Sequence, residues 1–229
     1  MLILGIDTSG KVASVSLMQD DILLAENTIY TTLTHSQIIM PMCKKLLESA
    51  NKTLKDIDRI AVSCGPGSYT GLRIGISGVK AMCFALDIGC NGISTLESLA
   101  YNVFGFNGVI CSVMKARLNL VYCGIFQSDM KSIKRYDTFP NDCIIDRLEL
   151  FETLSAMDRD IILVGDTAQD LYNSFDFNTN VVLSSTRDRL QSASSLCEVA
   201  KRLDAQSPHS LEAFYLQPTK AEKDLTSKI

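Results

Sequence analysis

Ser63-Cys64-Gly65-Pro66-Gly67-Ser68-Tyr69-Thr70-Gly71-Leu72-Arg73-Ile74-Gly75 joins two unlike patterns. Before its turn, Arg59–Cys64 is an apolar segment of strand length. After it, apolar residues recur at helical spacing to about Leu86. A glycine-rich turn between a strand and a helix leaves backbone N–H groups free to cradle an anion, and Gly65, Gly67 and Ser68 are the candidates. No Lys-Ser/Thr pair closes the run, so it is not a Walker A loop. Its G-x-G-x-x-x-G spacing also departs from the dinucleotide fingerprint. The same residues suit a plain tight turn, with glycine supplying positive φ and Pro66 fixing φ.

Upstream, strands are expected at Leu2–Asp7, Val12–Met18 and Ile22–Tyr30. Asp7, Thr8 and Ser9 fall in the first turn. One carboxylate and two hydroxyls suit Mg2+ and phosphate oxygens. The competing reading is an Asx turn, in which Asp7 bonds nearby backbone N–H groups. A helix is expected from about His35 to Ala50, opened by a T-x-x-Q capping box at Thr34 and Gln37. As the first helical residue, His35 reads as a surface or interface group. Downstream of the motif, a strand at Ile88–Ile93 leads through a second capping box, Ser94 with Glu97, into a helix to about Phe104.

The second half repeats the order. Strands are expected at Val109–Met114, Leu120–Gln127 and Ser132–Phe139, then a helix over about Asp146–Met157. A strand at Ile161–Val164, a short helix from Thr167, a strand at Val181–Leu183 and a helix at Ser192–Leu203 follow. A doubled β-β-β-α-β-α unit predicts an α/β protein of two lobes. Asn107-Gly108 marks the boundary, giving lobes of 1–106 and 107–217 and a polar, lysine-rich tail over 218–229 that is expected to be loose.

Composition narrows the function. The 229 residues are 46% hydrophobic and 21% charged, with net charge −4 and no dense basic run, which argues against autonomous grip on nucleic acid. Most of the eight cysteines sit in apolar runs, no C-x-x-C occurs, and there are only two histidines. Buried reduced thiols and no metal site are therefore expected, in a reducing cytoplasm. The N-terminus lacks a basic n-region, so no signal peptide is expected, and no apolar run is long enough for a membrane span.

The motif Gly-Pro-Gly-Ser-Tyr-Thr-Gly-Leu-Arg-Ile-Gly resembles the hallmark of the TsaB family and its catalytic paralogue TsaD/Kae1, the glycoprotease-like group. Ile6-Asp7-Thr8-Ser9, Thr34-His35-Ser36-Gln37 and Gly92-Ile93-Ser94-Thr95-Leu96 resemble further family segments in the same order. The resemblance is strong over about residues 1–105. It implies a two-lobed actin/hexokinase-like (ASKHA) ATPase fold. It also implies a non-catalytic subunit that binds TsaD and, with the ATPase TsaE, supports N6-threonylcarbamoylation of adenosine 37 in ANN-decoding tRNAs. No cofactor is then expected on this chain alone. ATP enters at the level of the complex, and tRNA is met indirectly through it. Without TsaD the chain is expected to be able to pair with itself. The paralogue's two metal-binding histidines align about with Thr95 and Leu99, so no catalytic residue is expected. An independent small-molecule kinase or metallopeptidase of the same fold is the alternative; Gly165-Asp166-Thr167 is the one candidate for a kinase's second phosphate loop.

The resemblance implies that the helices at 35–50 and 69–86 carry the partner. Ile39, Cys43, Leu46, Leu47 and Ala50 form one apolar stripe, and Ile38 and Met42 widen it. Gly71, Gly75 and Gly78 would let another helix approach closely. The expected interface is therefore Ile38, Met42, Leu46, Gly71, Gly75, Gly78 and Met82, with tight packing inside the lobe as the competing account. In the second lobe Lys115-Ala116-Arg117, Asn119-Leu120-Val121-Tyr122 and Phe214-Tyr215-Leu216-Gln217 depart from the family pattern.

Overall fold

Leu2–Asp7 (β1) is buried along its whole length, as its nearly continuous apolar run requires of a central strand. Val12–Gln19 (β2) pairs with it antiparallel, and Ile22–Tyr30 (β3) extends the meander to the sheet edge. The chain then crosses through His35–Ser49 (α1) to Arg59–Gly65 (β4), parallel to β1. It crosses again through Tyr69–Leu86 (α2) to Gly89–Ser94 (β5), parallel to β4. The sheet order is β3-β2-β1-β4-β5. Thr95–Tyr101 (α3) leads out of the first lobe. These elements belong to a computed structural model that describes residues 1–178 and 180–217. The tail over 218–229 lies outside the described residues.

The second half is built the same way. Its first strand, Asn107–Lys115 (β6), begins at the expected boundary. Leu120–Asp129 (β7), Ile133–Arg135 (β8) and Cys143–Asp146 (β9) follow, then Arg147–Ser155 (α4), Ile161–Val164 (β10), Ala168–Ser174 (α5), Val181–Leu183 (β11) and Ala193–Ala200 (α6). The order β11-β10-β6-β7-β8 mirrors that of the first sheet, with β9 paired to β7 beyond β8. Two sheets of the same order, each with the first strand central and crossover helices beside it, make the actin/hexokinase-like architecture expected from the sequence.

Three expectations are corrected. The strand expected at Ser132–Phe139 is only Ile133–Arg135 (β8), because the chain turns at Tyr136–Phe139, and a strand that was not expected, β9, then pairs with β7. Thr34 caps α1 by position only, because its side chain accepts no capping bond. Ser94, in contrast, accepts the Glu97 N–H at 3.2 Å. The third concerns the lobes. α3 buries Leu96, Leu99 and Ala100 against Ile110, Met114 and Phe126 of the second sheet. α6 buries Leu196, Cys197 and Val199 against Ile3, Met18 and Ala61 of the first. After α6 the chain stays on the first lobe, where Gln206 and Cys90 exchange backbone bonds and Phe214 N–H reaches the Cys64 carbonyl at 2.7 Å. Residues 193–217 therefore pack with the first lobe, not the second.

Candidate functional site

The motif and the first turn meet face to face. The three glycines spaced four apart, Gly67, Gly71 and Gly75, lie against Ser9 and Thr8. A Cβ on Gly67 would sit 2.4 Å from the Ser9 carbonyl oxygen, one on Gly71 2.1 Å from that of Thr8, and one on Gly75 2.4 Å from Thr8 Oγ1. Hydrogen bonds close the gap. Ser68 N–H donates to the Ser9 carbonyl at 2.7 Å, and the Thr8 hydroxyl donates to the Gly71 carbonyl at 2.7 Å. Ser68 caps α2 by accepting the Gly71 N–H. The glycines thus let a helix ride directly on a turn of backbone.

Asp7, the neighbouring residue on the chain, is fully buried. Its Oδ1 accepts the Ser9 N–H at 2.8 Å and the Ser9 hydroxyl at 2.6 Å, the Asx-turn geometry. Its Oδ2 has no hydrogen-bond partner. Burial raises its pKa, partly offset by Ser9, Ser63 and the charge of His35. The structure brings Gly67 and Ser68 to Asp7, Thr8 and Ser9, where most of their polar atoms are spent on neighbours, whereas Gly65, at φ +119°, backs onto the Phe214 carbonyl instead. His35 is not a free surface group: its Nε2 meets the Gly10 carbonyl at 2.8 Å and ties the start of α1 to the same turn.

Above the sealed turn lies an open cleft between the lobes, about 770 Å3 in volume. Lys11, Gly67, Ser68 and Tyr69 line it from the first lobe, Lys115, Arg117, Tyr122 and Asp166 from the second, and Phe214 to Gln217 from the returning chain. The Tyr69 and Tyr215 rings lie 5.0 Å apart, and the Arg73 guanidinium sits 4.1 Å from the Tyr69 centroid. Sequence reading missed this cleft because its aromatics come from segments 146 positions apart, Tyr69 and Tyr215.

The expected partner face is redistributed. Met42 and Leu46 are buried, 5% and 4% exposed, in the core of the first lobe. Gly71 and Gly75 are buried against Thr8. None of these four is available to a partner as the chain stands. Ile38, Gly78 and Met82 are partly exposed. The residue missed is Met40, 39% exposed, whose terminal methyl would lie 2.7 Å from a Cβ on Gly78. Its position i, i+3, i+7 with Cys43 and Leu47 puts it at the edge of the buried stripe, the one available signal.

Thr95 and Leu99 lie one turn apart on α3, both buried, with Leu99 in the inter-lobe core. Among the described residues no three His, Cys, Asp or Glu side chains come together as metal ligands. All eight cysteines are free and seven are buried. Burial pushes the thiols of Cys43, Cys64 and Cys197 up to about 12, so they pack as small apolar groups. Gly165, Asp166 and Thr167 form no phosphate loop of the expected kind. Gly165 N–H bonds the Arg189 carbonyl, and Asp166 Oδ1 accepts from Lys115 N–H and the Thr167 hydroxyl.

Comparison with known proteins agrees with this geometry. Residues 28–206 match the family described as TsaD: tRNA N6-adenosine threonylcarbamoyltransferase. YeaZ from Pseudomonas aeruginosa superposes with a TM-score of 0.80 at 23% identity, over 94% of this chain and 99% of that one. The class is thus a two-lobed actin/hexokinase-like protein related to threonylcarbamoyl transferases. The tRNA threonylcarbamoyladenosine biosynthesis protein TsaB of Bacillus subtilis (strain 168) is 32% identical over 97% of this chain and 96% of its own length. TsaB of Escherichia coli (strain K12) is 26% identical over the full length of both. The chain belongs to the TsaB family.

Proposed function

We propose that this chain is a non-catalytic subunit in the synthesis of threonylcarbamoyladenosine in tRNA, binding and supporting TsaD as adenosine 37 of ANN-decoding tRNAs is modified. The observation that carries the reading is the burial of Asp7. The chain keeps the two-lobed frame of its relatives, while the carboxylate of its first turn is fully buried and held by Ser9, and the Gly67–Gly71–Gly75 stripe packs on the adjoining Thr8 and Ser9. Thr95 and Leu99 offer no ligating pair where the resemblance places the paralogue's metal histidines. A support role is what remains to such a frame.

The α1–α2 seam is the face we assign to TsaD. Met40 lies over Gly78, and Ile74 and Met82 flank Gly78 one turn to either side on α2. The same face serves self-pairing when TsaD is absent, since an isologous contact needs only one self-complementary patch. ATP turnover falls to the complex with TsaE, and tRNA is reached through it, in the cytoplasm. Among the described residues no helix is long and apolar enough to cross a membrane. The test is reconstitution of tRNA modification with TsaD and TsaE, with and without this chain. Product should form only when the chain is present, and the isolated chain should hydrolyse no ATP. Equal product without the chain, or ATPase activity abolished by Asp7→Ala, overturns the reading.

A further inference from the structure

We propose that Cys123 and Cys143 form an oxidative modification site, a dithiol that closes to a disulfide on exchange with a low-molecular-weight disulfide. The inference stands apart from the support role and departs, at this one pair, from the expectation of reduced thiols. Its ground is position in the second sheet. Cys123 of β7 and Cys143 of β9 are directly opposed partners in an antiparallel ladder. Opposed residues point to the same face, with Cα atoms about 4.5–5.5 Å apart. A disulfide spans Cα separations of about 4.4–6.8 Å, so the pair can close without moving either strand. Both side chains belong to the apolar core of the second lobe, with Val121, Ile125 and Ile145. A third thiol, Cys111 of β6, lies in that core with its Sγ 3.9 Å from Cys123 Sγ. Its cross-strand partner is Ile125, so it stands diagonal to Cys123. Diagonal positions are about 7–8 Å apart, beyond the span of a disulfide. The geometry therefore selects Cys143, not Cys111, as the partner of Cys123.

Access is from one side. Cys143 is partly exposed at the start of β9, while Cys123 and Cys111 are buried. The Cys143 thiolate attacks the small disulfide, so that one S–S bond forms, one breaks and a small thiolate leaves. The Cys123 thiolate then attacks the Cys143 sulfur and expels the second small thiolate. Two protein thiols are oxidised, one small disulfide is reduced to two thiols, and the two protein protons end on those leaving groups. The hydrogen bond to Cys123, burial and the charges of Asp142 and Glu149 raise the Cys143 pKa. Thiolate is therefore scarce and exchange slow, which suits a mark of sustained oxidation. The bond would fix β9 beside a tie between the lobes. Asp142, the residue before Cys143, pairs with Arg135 and accepts the hydroxyl of Ser94, the N-cap of α3, at 2.5 Å.

The reduced full chain is incubated overnight, without denaturant, in mildly alkaline buffer with oxidised glutathione. It is then alkylated, digested and mapped by non-reducing mass spectrometry. Peptides joined through Cys123 and Cys143 should accumulate, and dithiothreitol should separate them. Closing a loop of about twenty residues should raise the melting temperature by about 5 °C or more. Cys143→Ser, at a partly exposed position, should fold, form no internal disulfide and lose the shift. Cys111→Ala should keep both the disulfide and the shift. If either variant fails to fold, mapping and melting of the parent chain decide alone. Four outcomes overturn the proposal: no reaction; glutathione on Cys143 with no internal bond; a Cys111–Cys123 link; or a Cys123–Cys143 link that leaves the melting temperature unchanged.

Discussion

A Cβ placed on Gly71 would lie 2.1 Å from the carbonyl oxygen of Thr8. The obstacle is backbone at the end of the central strand, not a side chain that can swing aside. Gly71→Ala must therefore lift α2 from the turn or break the Thr8–Gly71 and Ser9–Ser68 hydrogen bonds. A loss of about 1–3 kcal/mol or more is expected for such overpacking. Gly105→Ala is the control, since nothing lies within 4 Å of its Cβ position. Urea denaturation of both should show a large drop for the first and little change for the second. Equal stability of the two would mean that the glycine stripe is not what seats the helix.

Asp7 gives a pH signature. Its pKa in the folded chain is raised above the ordinary 3.8 by burial. In the window above 3.8 the folded state binds more protons than the unfolded one, so the stability this group contributes at acid pH is lost as pH rises through its folded value. Asp7→Asn keeps an acceptor for Ser9 and removes the charge. The stability of the variant relative to the parent should rise with pH across that window and then level off. Asp7→Ala should be less stable than Asp7→Asn at every pH, because Ser9 loses its acceptor. Parallel stability curves for parent and Asp7→Asn would refute the assignment.

Met40 and Met42 separate core from partner face. Met42→Glu puts a carboxylate among Leu46, Ile60 and Val62 in the first-lobe core cluster, and should cost several kcal/mol or abolish folding. Met40→Glu places its charge over Gly78 at a half-open surface and should leave the melting temperature within a few degrees. Pull-down with TsaD should fall sharply for Met40→Glu, by tenfold or more if a buried contact of about 1.4 kcal/mol is lost. A folded Met40→Glu chain that binds TsaD normally would move the interface away from the α1–α2 seam.

How much could be read beforehand follows from which interactions are local. The doubled strand and helix order was legible because hydrophobic period and turn chemistry are local, and the motif declared its strand–turn–helix setting. The exchange of α3 and α6 between lobes was not legible. Their apolar faces, Leu96–Leu99–Ala100 and Leu196–Cys197–Val199, look alike in sequence and do not name the sheet they cover. Met42 was misplaced for a related reason. A stripe wider than a half-buried helix needs was read as two faces, whereas α1 packs against β2, β3 and α2 and fills the wider stripe itself. The glycines were singled out correctly, but the surface they accommodate is Thr8 and Ser9, not another helix.

Arg59 supplies the last prediction, and it concerns how the returning chain is tied to the first lobe. Its guanidinium Nη1 donates to the carbonyl oxygens of Leu203 at 2.6 Å and Ala200 at 3.1 Å, and more weakly to Asn91 Oδ1 at 3.3 Å. Ala200 is the last residue of α6 and its carbonyl also accepts the Leu203 N–H, so a fixed positive charge from β4 adds a second donor at the helix end and meets the Leu203 carbonyl just beyond it. Asn91 extends the clasp by donating to the Asp204 carbonyl at 2.8 Å. Arg59→Met keeps the apolar stem and removes every donor, and it should cost about 1–3 kcal/mol, the scale of hydrogen bonds to a charged group. Arg59→Lys should recover little, because one ammonium on a shorter reach cannot serve both carbonyls in the planar geometry of the guanidinium. The readout that distinguishes a local tie from general loss of stability is hydrogen exchange. Amides of Lys201, Arg202 and Gln206 should exchange faster in Arg59→Met, while those of β10, at the far side of the second sheet, should not change at exchange conditions well below global unfolding. Uniform acceleration across both sheets would mean that Arg59 supports the whole fold. Unchanged exchange at 201–206 would mean that the returning chain is held by its contacts with Cys90 and Cys64 alone.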